Sequence, residues 1–147
     1  MSERWIVGGS TGLVGTALCQ RLSDEGHEVV RLVRPSTRSV GGDTISWDPK
    51  EGVLAAEELK GATAVVHLGG VGIFSGRWTE SRRQAILQSR VQSSRLIADR
   101  LAQLEDGPAF VCASAIGYYG SRGDEELREG SERGTGFLAD VCVAWEE

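Results

Sequence analysis

Apolar residues in this chain gather in short runs set between stretches of helical spacing. Trp5-Ile6-Val7, Val29 to Val33, Ala64-Val65-Val66-His67-Leu68 and Ala109-Phe110-Val111-Cys112-Ala113 are nearly continuous, the pattern of parallel strands buried on both faces. A shorter strand, Thr44 to Trp47, ends at Asp48-Pro49, and Leu54 to Leu59 reads as a brief helix before Gly61. Between the first two runs, Leu13, Val14, Ala17, Leu18 and Leu22 keep to one helical face, with Gly26 as the stop and a strand from Glu28 to Val33. The longest helical pattern runs from Glu80 to about Leu104, with Thr79 as N-cap. Leu87, Val91, Ala98, Leu101 and Ala102 form its expected apolar side. Phe137, Val141 and Ala144 or Trp145 start a last helix near Gly136, inside which the sequence stops. Alternating strands and helices predict an α/β fold, a doubly wound parallel sheet in strand order 3-2-1-4-5, forming one domain over 1–147. The far edge of that sheet is expected to be incomplete, either covered by another chain or frayed.

Composition narrows the function classes. With 147 residues, 40% hydrophobic and 25% charged, the chain is long enough for one domain with a core. A net charge of -5 without a long single-sign block points away from nucleic acid and from anionic membrane surfaces. No apolar stretch reaches the roughly 18 residues of a membrane span, and the N-terminus opens straight into a strand. Cys19, Cys112 and Cys142 are odd in number and widely spaced. They read as reduced, buried small residues, which makes the cytoplasm the expected compartment. His27, beside Gly26, reads as exposed and His67 as a satisfied core residue. Two distant histidines and scattered cysteines give no metal spacing.

The chemistry begins between the first strand and first helix, at Gly8-Gly9-Ser10-Thr11-Gly12-Leu13-Val14-Gly15. Glycines at 9, 12 and 15 suit a sharp strand-to-helix turn, a close backbone approach to a pyrophosphate and tight helix–sheet packing. Free N–H groups at the helix start, with the positive end of its dipole, would face the phosphates. The bare G-x-x-G-x-x-G pattern is common, and its setting within a strand–turn–helix–strand unit of about thirty residues makes it a dinucleotide site. Nineteen residues after Gly15, where many such sites carry an acid for the ribose hydroxyls, stands Arg34. A guanidinium there suits a 2′-phosphate through a charge-assisted contact of about 1.5–3 kcal/mol. That is roughly a tenfold to hundredfold preference for NADP over NAD. The alternative is a solvated arginine at a strand end. Arg38 is a possible helper. Gly69 and Gly70, after the fourth strand, keep the carboxyl edge of the sheet clear where open α/β sheets bind ligands.

After the fifth strand, Ser114-Ala115-Ile116-Gly117-Tyr118-Tyr119-Gly120 brings a hydroxyl and two phenols to the same edge. Here the chain resembles the short-chain dehydrogenase/reductase superfamily, in particular its atypical extended branch of NAD-dependent epimerase/dehydratase-like "epimerase family proteins". The motifs are Trp47-Asp48-Pro49, Arg77-Trp78-Thr79, Ser89-Arg90-Val91, Ser114 to Gly120, and Phe137-Leu138-Ala139 through Trp145-Glu146, in that order and across nearly the whole chain. The resemblance implies an NADP-binding Rossmann domain, the N-terminal portion of a protein that continues for about as many residues again. It also implies that Val33 and Arg34, Leu68 and Gly69, and Arg90 contact the dinucleotide.

Catalytically the pattern departs from that family. Its active members use a Ser and a Tyr-x-x-x-Lys pair, in which an ammonium favours the phenolate that shuttles a proton. Aligning Tyr119-Gly120 with the family's Tyr-Gly puts Ala115 at the serine position, with Ser114 beside it. Phe137 and Val141 fall where the pair should be. The two lysines, Lys50 and Lys60, lie far earlier, and the matching spacing of Tyr118 and Arg122 falls in a glycine-containing loop. Two functions remain. One is an oxidoreductase or epimerase of atypical mechanism, with Ser114 orienting an unknown small-molecule substrate and Tyr118 or Tyr119 donating a proton. The other is a non-catalytic NADP-binding module. The Glu80 to Leu104 helix is a candidate for pairing with a copy of itself.

Overall fold

The computed structural model describes residues 1–37, 41–74 and 76–147. Arg38 lies outside these. Five strands, β1 (Arg4–Gly8), β2 (Glu28–Val33), β3 (Asp43–Ser46), β4 (Ala64–His67) and β5 (Ala109–Cys112), form one parallel sheet in the order β3-β2-β1-β4-β5. This is the expected Rossmann order, and the chain reverses direction of winding between β1 and β4. Three α-helices accompany the sheet: α1 (Leu13–Asp24), α2 (Glu80–Leu101) and α3 (Phe137–Glu146). Short 3-10 turns occupy Ala56–Leu59 and Ile116–Tyr119. The first replaces the expected helix from Leu54. Leu54 itself is buried in the core, next to a bridge between Asp48 and Val53.

Alternation along the strands divides the core. On one face Ile6, Val30, Leu32, Ile45, Trp47 and Val65 meet Leu96 and Ile97 of α2. On the other, Val7 meets Cys19 and Leu22 of α1, with Trp5 and Val29 around them.

Two helical faces differ from the pattern read in the sequence. On α1 the buried residues are Gly15, Cys19 and Leu22, whereas Leu13 is 91% and Val14 64% exposed. The side chains of the first turn of α1 are exposed, and Gly15 is its first buried residue. On α2 the buried set is Ile86, Ser93, Ser94, Leu96 and Ile97, while Ala98 and Ala102 are exposed. The face was hidden because two of its members are serines whose hydroxyls are all hydrogen bonded. Helix α2 stops at Leu101, three residues early. Gln103 and Leu104 N–H groups bond to the third carbonyl back, so the last turn tightens before Gly107-Pro108. Thr79 caps its start, its Oγ1 accepting from Arg82 N–H at 3.2 Å.

The outer strand also departs from expectation. β4 is buried along its whole length, but Val111 of β5 is 51% exposed. Among the described residues no element covers the α1 side of the sheet at β5. Helix α3 packs against α2 on the opposite side, burying Ala139, Val141 and Cys142.

Candidate functional site

The chain reaches the carboxyl edge of the sheet at the end of β1, where the glycines have distinct physical tasks. Gly9 turns with φ +76°, and a Cβ on it would lie 2.6 Å from the backbone N of Gly69. That closeness brings the β1 loop onto the β4 loop. A Cβ on Gly15 would lie 2.2 Å from the Gly9 carbonyl oxygen, so only glycine lets α1 seat on the turn. Gly12 is looser, 3.4 Å from its nearest neighbour, and stands at the helix start with no side-chain cap. Gly12 N–H donates to Gly9 O and Thr16 N–H to Gly12 O. The N–H groups of Leu13, Val14 and Gly15 donate to no group among the described residues. Three amides at the positive end of a helix dipole, with no competing side chain, make an anion cradle.

Beside this cradle lies a cleft of about 480 Å³ over the carboxyl ends of β1 to β4. Gly9, Ser10 and Thr11 form one side of its rim, and Gly69 and Gly70 another. Val33, Arg34, Ser36 and Thr37, at and after the end of β2, line it as well. Gly12, Leu13, Val14, Gly15 and Leu68 stand next to this lining without forming it. The turn after β2 is held by Arg34 N–H donating to Thr37 Oγ1 and Thr37 N–H donating to Arg34 O. The Arg34 side chain is exposed and engages no described group.

Sequence reasoning missed two walls. One is Trp47 to Lys50, which follows β3; the other is Gln88, Ser89, Gln92 and Ser93 of α2. Only Trp47-Asp48-Pro49 and Ser89 carried a signal, as family motifs. The Ser89 hydroxyl accepts from Val71 N–H at 3.0 Å, and Arg90 Nη1 donates to Val71 O at 3.1 Å. Both polar groups of one loop residue are thus fixed by neighbouring residues of α2.

Arg90 is not the solvated mid-helix arginine that its position suggests. Its guanidinium lies against Gly70, where a Cβ would come within 3.0 Å of Cζ, and stacks 5.0 Å from the Trp145 ring centroid. Burial pulls its pKa below the ordinary value. In this arrangement Arg90 braces the rim of the cleft.

His67 forms part of the floor and is only half satisfied. Ser93 Oγ donates to Ser89 O, which leaves it to accept from His67 Nε2 at 2.8 Å. Nδ1 is then the unprotonated nitrogen, buried without a partner. The ring occupies the space a Cβ on Gly8 would fill, 2.6 Å from Nδ1, and meets Trp47 edge-on at 5.5 Å. Burial lowers its pKa to about 4, so it is neutral near pH 7. His27, expected to be exposed, is half-buried against Trp5, with Nδ1 accepting from Glu3 N–H.

The hydroxyl and phenols after β5 do not join this cleft. Ser114 Oγ donates to the Glu146 carboxylate, beside a second cleft of about 410 Å³ between α2, β5 and the end of α3. Tyr118 and Tyr119 stack edge-on against each other at 5.2 Å. Phe137 packs edge-on against Trp78, under the Arg83 guanidinium. Arg122 grips Glu125 through two nitrogens, so it is no partner for Tyr118. All three cysteines are unpaired, and burial pushes the Cys19 and Cys142 thiols up, which keeps them unreactive. Among the described residues, no cluster of potential metal ligands occurs and no helix is long and apolar enough to cross a membrane.

A glycine turn, an uncapped helix start and a cleft at the switch point of a 3-2-1-4-5 sheet are the parts of a dinucleotide site, and the comparisons agree. The model of the NAD dependent epimerase/dehydratase family matches residues 5–135. The chain belongs to that family. Among family relatives it is 36% identical to the epimerase family protein Mb2239 of Mycobacterium bovis, over 95% of this chain and 46% of that protein. It is 33% identical to human epimerase family protein SDR39U1, over 97% of this chain and 47% of that one. The chain therefore spans about half the length of both relatives. A crystal structure of human SDR39U1 with NADPH superposes with TM-score 0.82 at 31% identity, covering 97% of this chain and 47% of that chain. A nucleoside-diphosphate sugar epimerase from Corynebacterium glutamicum superposes with TM-score 0.80 at 39% identity, covering 99% of this chain and 30% of that one.

Proposed function

We propose that the chain is an NADP(H)-binding domain with a preference for the phosphorylated cofactor. The observation that carries this reading is Arg34, which lines the cleft directly after β2 and whose guanidinium engages no described group. Human SDR39U1, similar over this whole region, was crystallised with NADPH. The residues fit the group: the N–H groups of Leu13, Val14 and Gly15 would take the pyrophosphate, and Gly12 would let it approach. Ser10 and Thr11 would line its path. Val33 and Leu68 would shape the walls, Gly69 and Gly70 would keep the floor clear, and Arg90 would hold that floor in position. When bound, the cofactor supplies hydride chemistry.

For the whole protein the family reading is a short-chain oxidoreductase or nucleoside-diphosphate-sugar-epimerase-like activity on a small molecule, with Ser114 orienting the substrate and Tyr118 or Tyr119 as proton donor. A specific observation favours a second reading for the present chain, that of a binding module without turnover. The motif resemblance puts Phe137 and Val141 where the proton-shuttling pair would stand, and Ser114 is bound to Glu146. Three unpaired thiols suit a reducing compartment, and we assign the protein to the cytoplasm on that ground.

Calorimetric titration tests the cofactor reading. NADPH should bind roughly tenfold to a hundredfold more tightly than NADH, Arg34→Gln should bring the two together, and the chain alone should turn over neither. Equal affinities in the unmodified chain would remove Arg34 from the site.

A further inference from the structure

The cleft holds a second cation that neither the glycine fingerprint nor the family motifs assign. We propose that Lys50 completes a two-sided clamp with Arg34 on the 2′-phosphate of the cofactor, and so sets its specificity. This rests on the NADP(H) reading above.

The argument starts from register. Val33 of β2 pairs with Ser46 of β3, and Trp47 N–H continues the ladder onto Val33 O at 2.9 Å. Arg34 and Trp47 therefore leave the sheet side by side, and both line the cleft. Lys50 follows three residues after Trp47 and lines the same cleft.

The loop that carries it is firmly held. Asp48 and Val53 bond to each other through both backbone groups at 2.8 Å, closing a short loop with Lys50 near its tip. Asp48 Oδ1 accepts from the N–H groups of Lys50 and Glu51. Arg100 of α2 reaches under the loop and donates to Leu54 O and Gly52 O. A backbone fixed this way presents the Lys50 side chain at reduced entropic cost.

The ammonium is also uncommitted. Of the two lysines, Lys60 is paired with Glu57 at 2.7 Å, whereas Lys50 is exposed and makes no ion pair with any described group. Of the two acids flanking it in sequence, Asp48 already spends one carboxylate oxygen on the backbone, and the adjacent Glu51 forms no described ion pair with it. Two cations that line one cleft, on the segments that follow adjacent strands, neither neutralised by any described group, match a dianionic monoester better than a ribose diol, which offers no charge. A planar guanidinium on one side and a compact ammonium on the other divide the task as their chemistries suggest.

The test is calorimetric titration of NADPH and NADH into the unmodified chain and into its Lys50→Gln, Lys50→Arg and Arg34→Gln variants. Lys50 is exposed, and circular dichroism checks that each variant is folded. Lys50→Gln should weaken NADPH binding by about five- to tenfold and leave NADH within about twofold, while Lys50→Arg should restore most of the loss. Unchanged NADPH affinity in Lys50→Gln, with a loss in Arg34→Gln, would overturn the role of Lys50 alone. An equal loss of NADPH and NADH in Lys50→Gln would also overturn it, as would failure of Lys50→Arg to recover. No preference for NADPH in the unmodified chain would overturn the underlying reading and the clamp with it.

Discussion

At the scale of single residues, the site is governed by where side chains are missing and by one imidazole that fills the gap. Gly8 is glycine because the His67 ring occupies its Cβ position, and Gly15 because the Gly9 carbonyl occupies the other. The sequence displayed the glycines but not the atoms that exclude a Cβ, which at Gly8 come from a strand nearly sixty residues away and at Gly15 from the way the turn folds back on the helix start. His67 makes a testable contribution to stability. Its folded pKa is lowered to about 4 from an ordinary 6.5, so the unfolded chain takes up a proton between those values that the folded chain refuses. The contribution is whole above pH 6.5 and is lost as pH falls toward 4, a change of up to about 3 kcal/mol. Urea unfolding at a series of pH values should show this decline, and His67→Asn should flatten it while lowering stability at neutral pH. An unfolding midpoint of the unmodified chain that holds constant from pH 6.5 to 4.5 would contradict the buried neutral imidazole.

Among elements, strands were legible and helical faces were not. Continuous apolar runs placed β1, β2, β4 and β5 within a residue of their ends, because parallel strands buried on two faces have few polar positions. α1 and α2 were assigned their extents correctly at the start, yet their buried faces were misread. Hydropathy counts Ser93 and Ser94 as polar, whereas the structure buries both by pairing their hydroxyls with His67, Trp145 and Cys112. It counts Leu13 and Val14 as core, whereas both are exposed in the first turn of α1. β5 was read as doubly covered, yet Val111 is half exposed. Val111→Lys should therefore cost less than about 1 kcal/mol, against about 2–5 kcal/mol for Ile97→Ala in the α2 interface. Comparable losses in thermal or urea melts would mean that the β5 face is covered after all.

For the molecule as a whole, topology does most of the functional work. The 3-2-1-4-5 order puts the β1 and β4 loops next to each other with their helices on opposite faces, and the cleft lies where they part. That much could be read from alternation of strands and helices together with one glycine turn. The walls contributed by Trp47 to Lys50 and by α2 could not, since nothing in local spacing says that the segment after β3 faces the middle of a helix that begins at Glu80. The candidate catalytic residues show the opposite case. Ser114, Tyr118 and Tyr119 were visible in sequence as a hydroxyl and two phenols after a strand, but their side chains pair with Glu146 and with each other.

The most direct measurement is a crystal structure of the chain grown with NADPH. Difference density should show the pyrophosphate on the N–H groups of Leu13 and Val14 at the start of α1, with the 2′-phosphate beside Arg34. A dinucleotide seated elsewhere, or a 2′-phosphate turned away from Arg34 into solvent, would contradict the account.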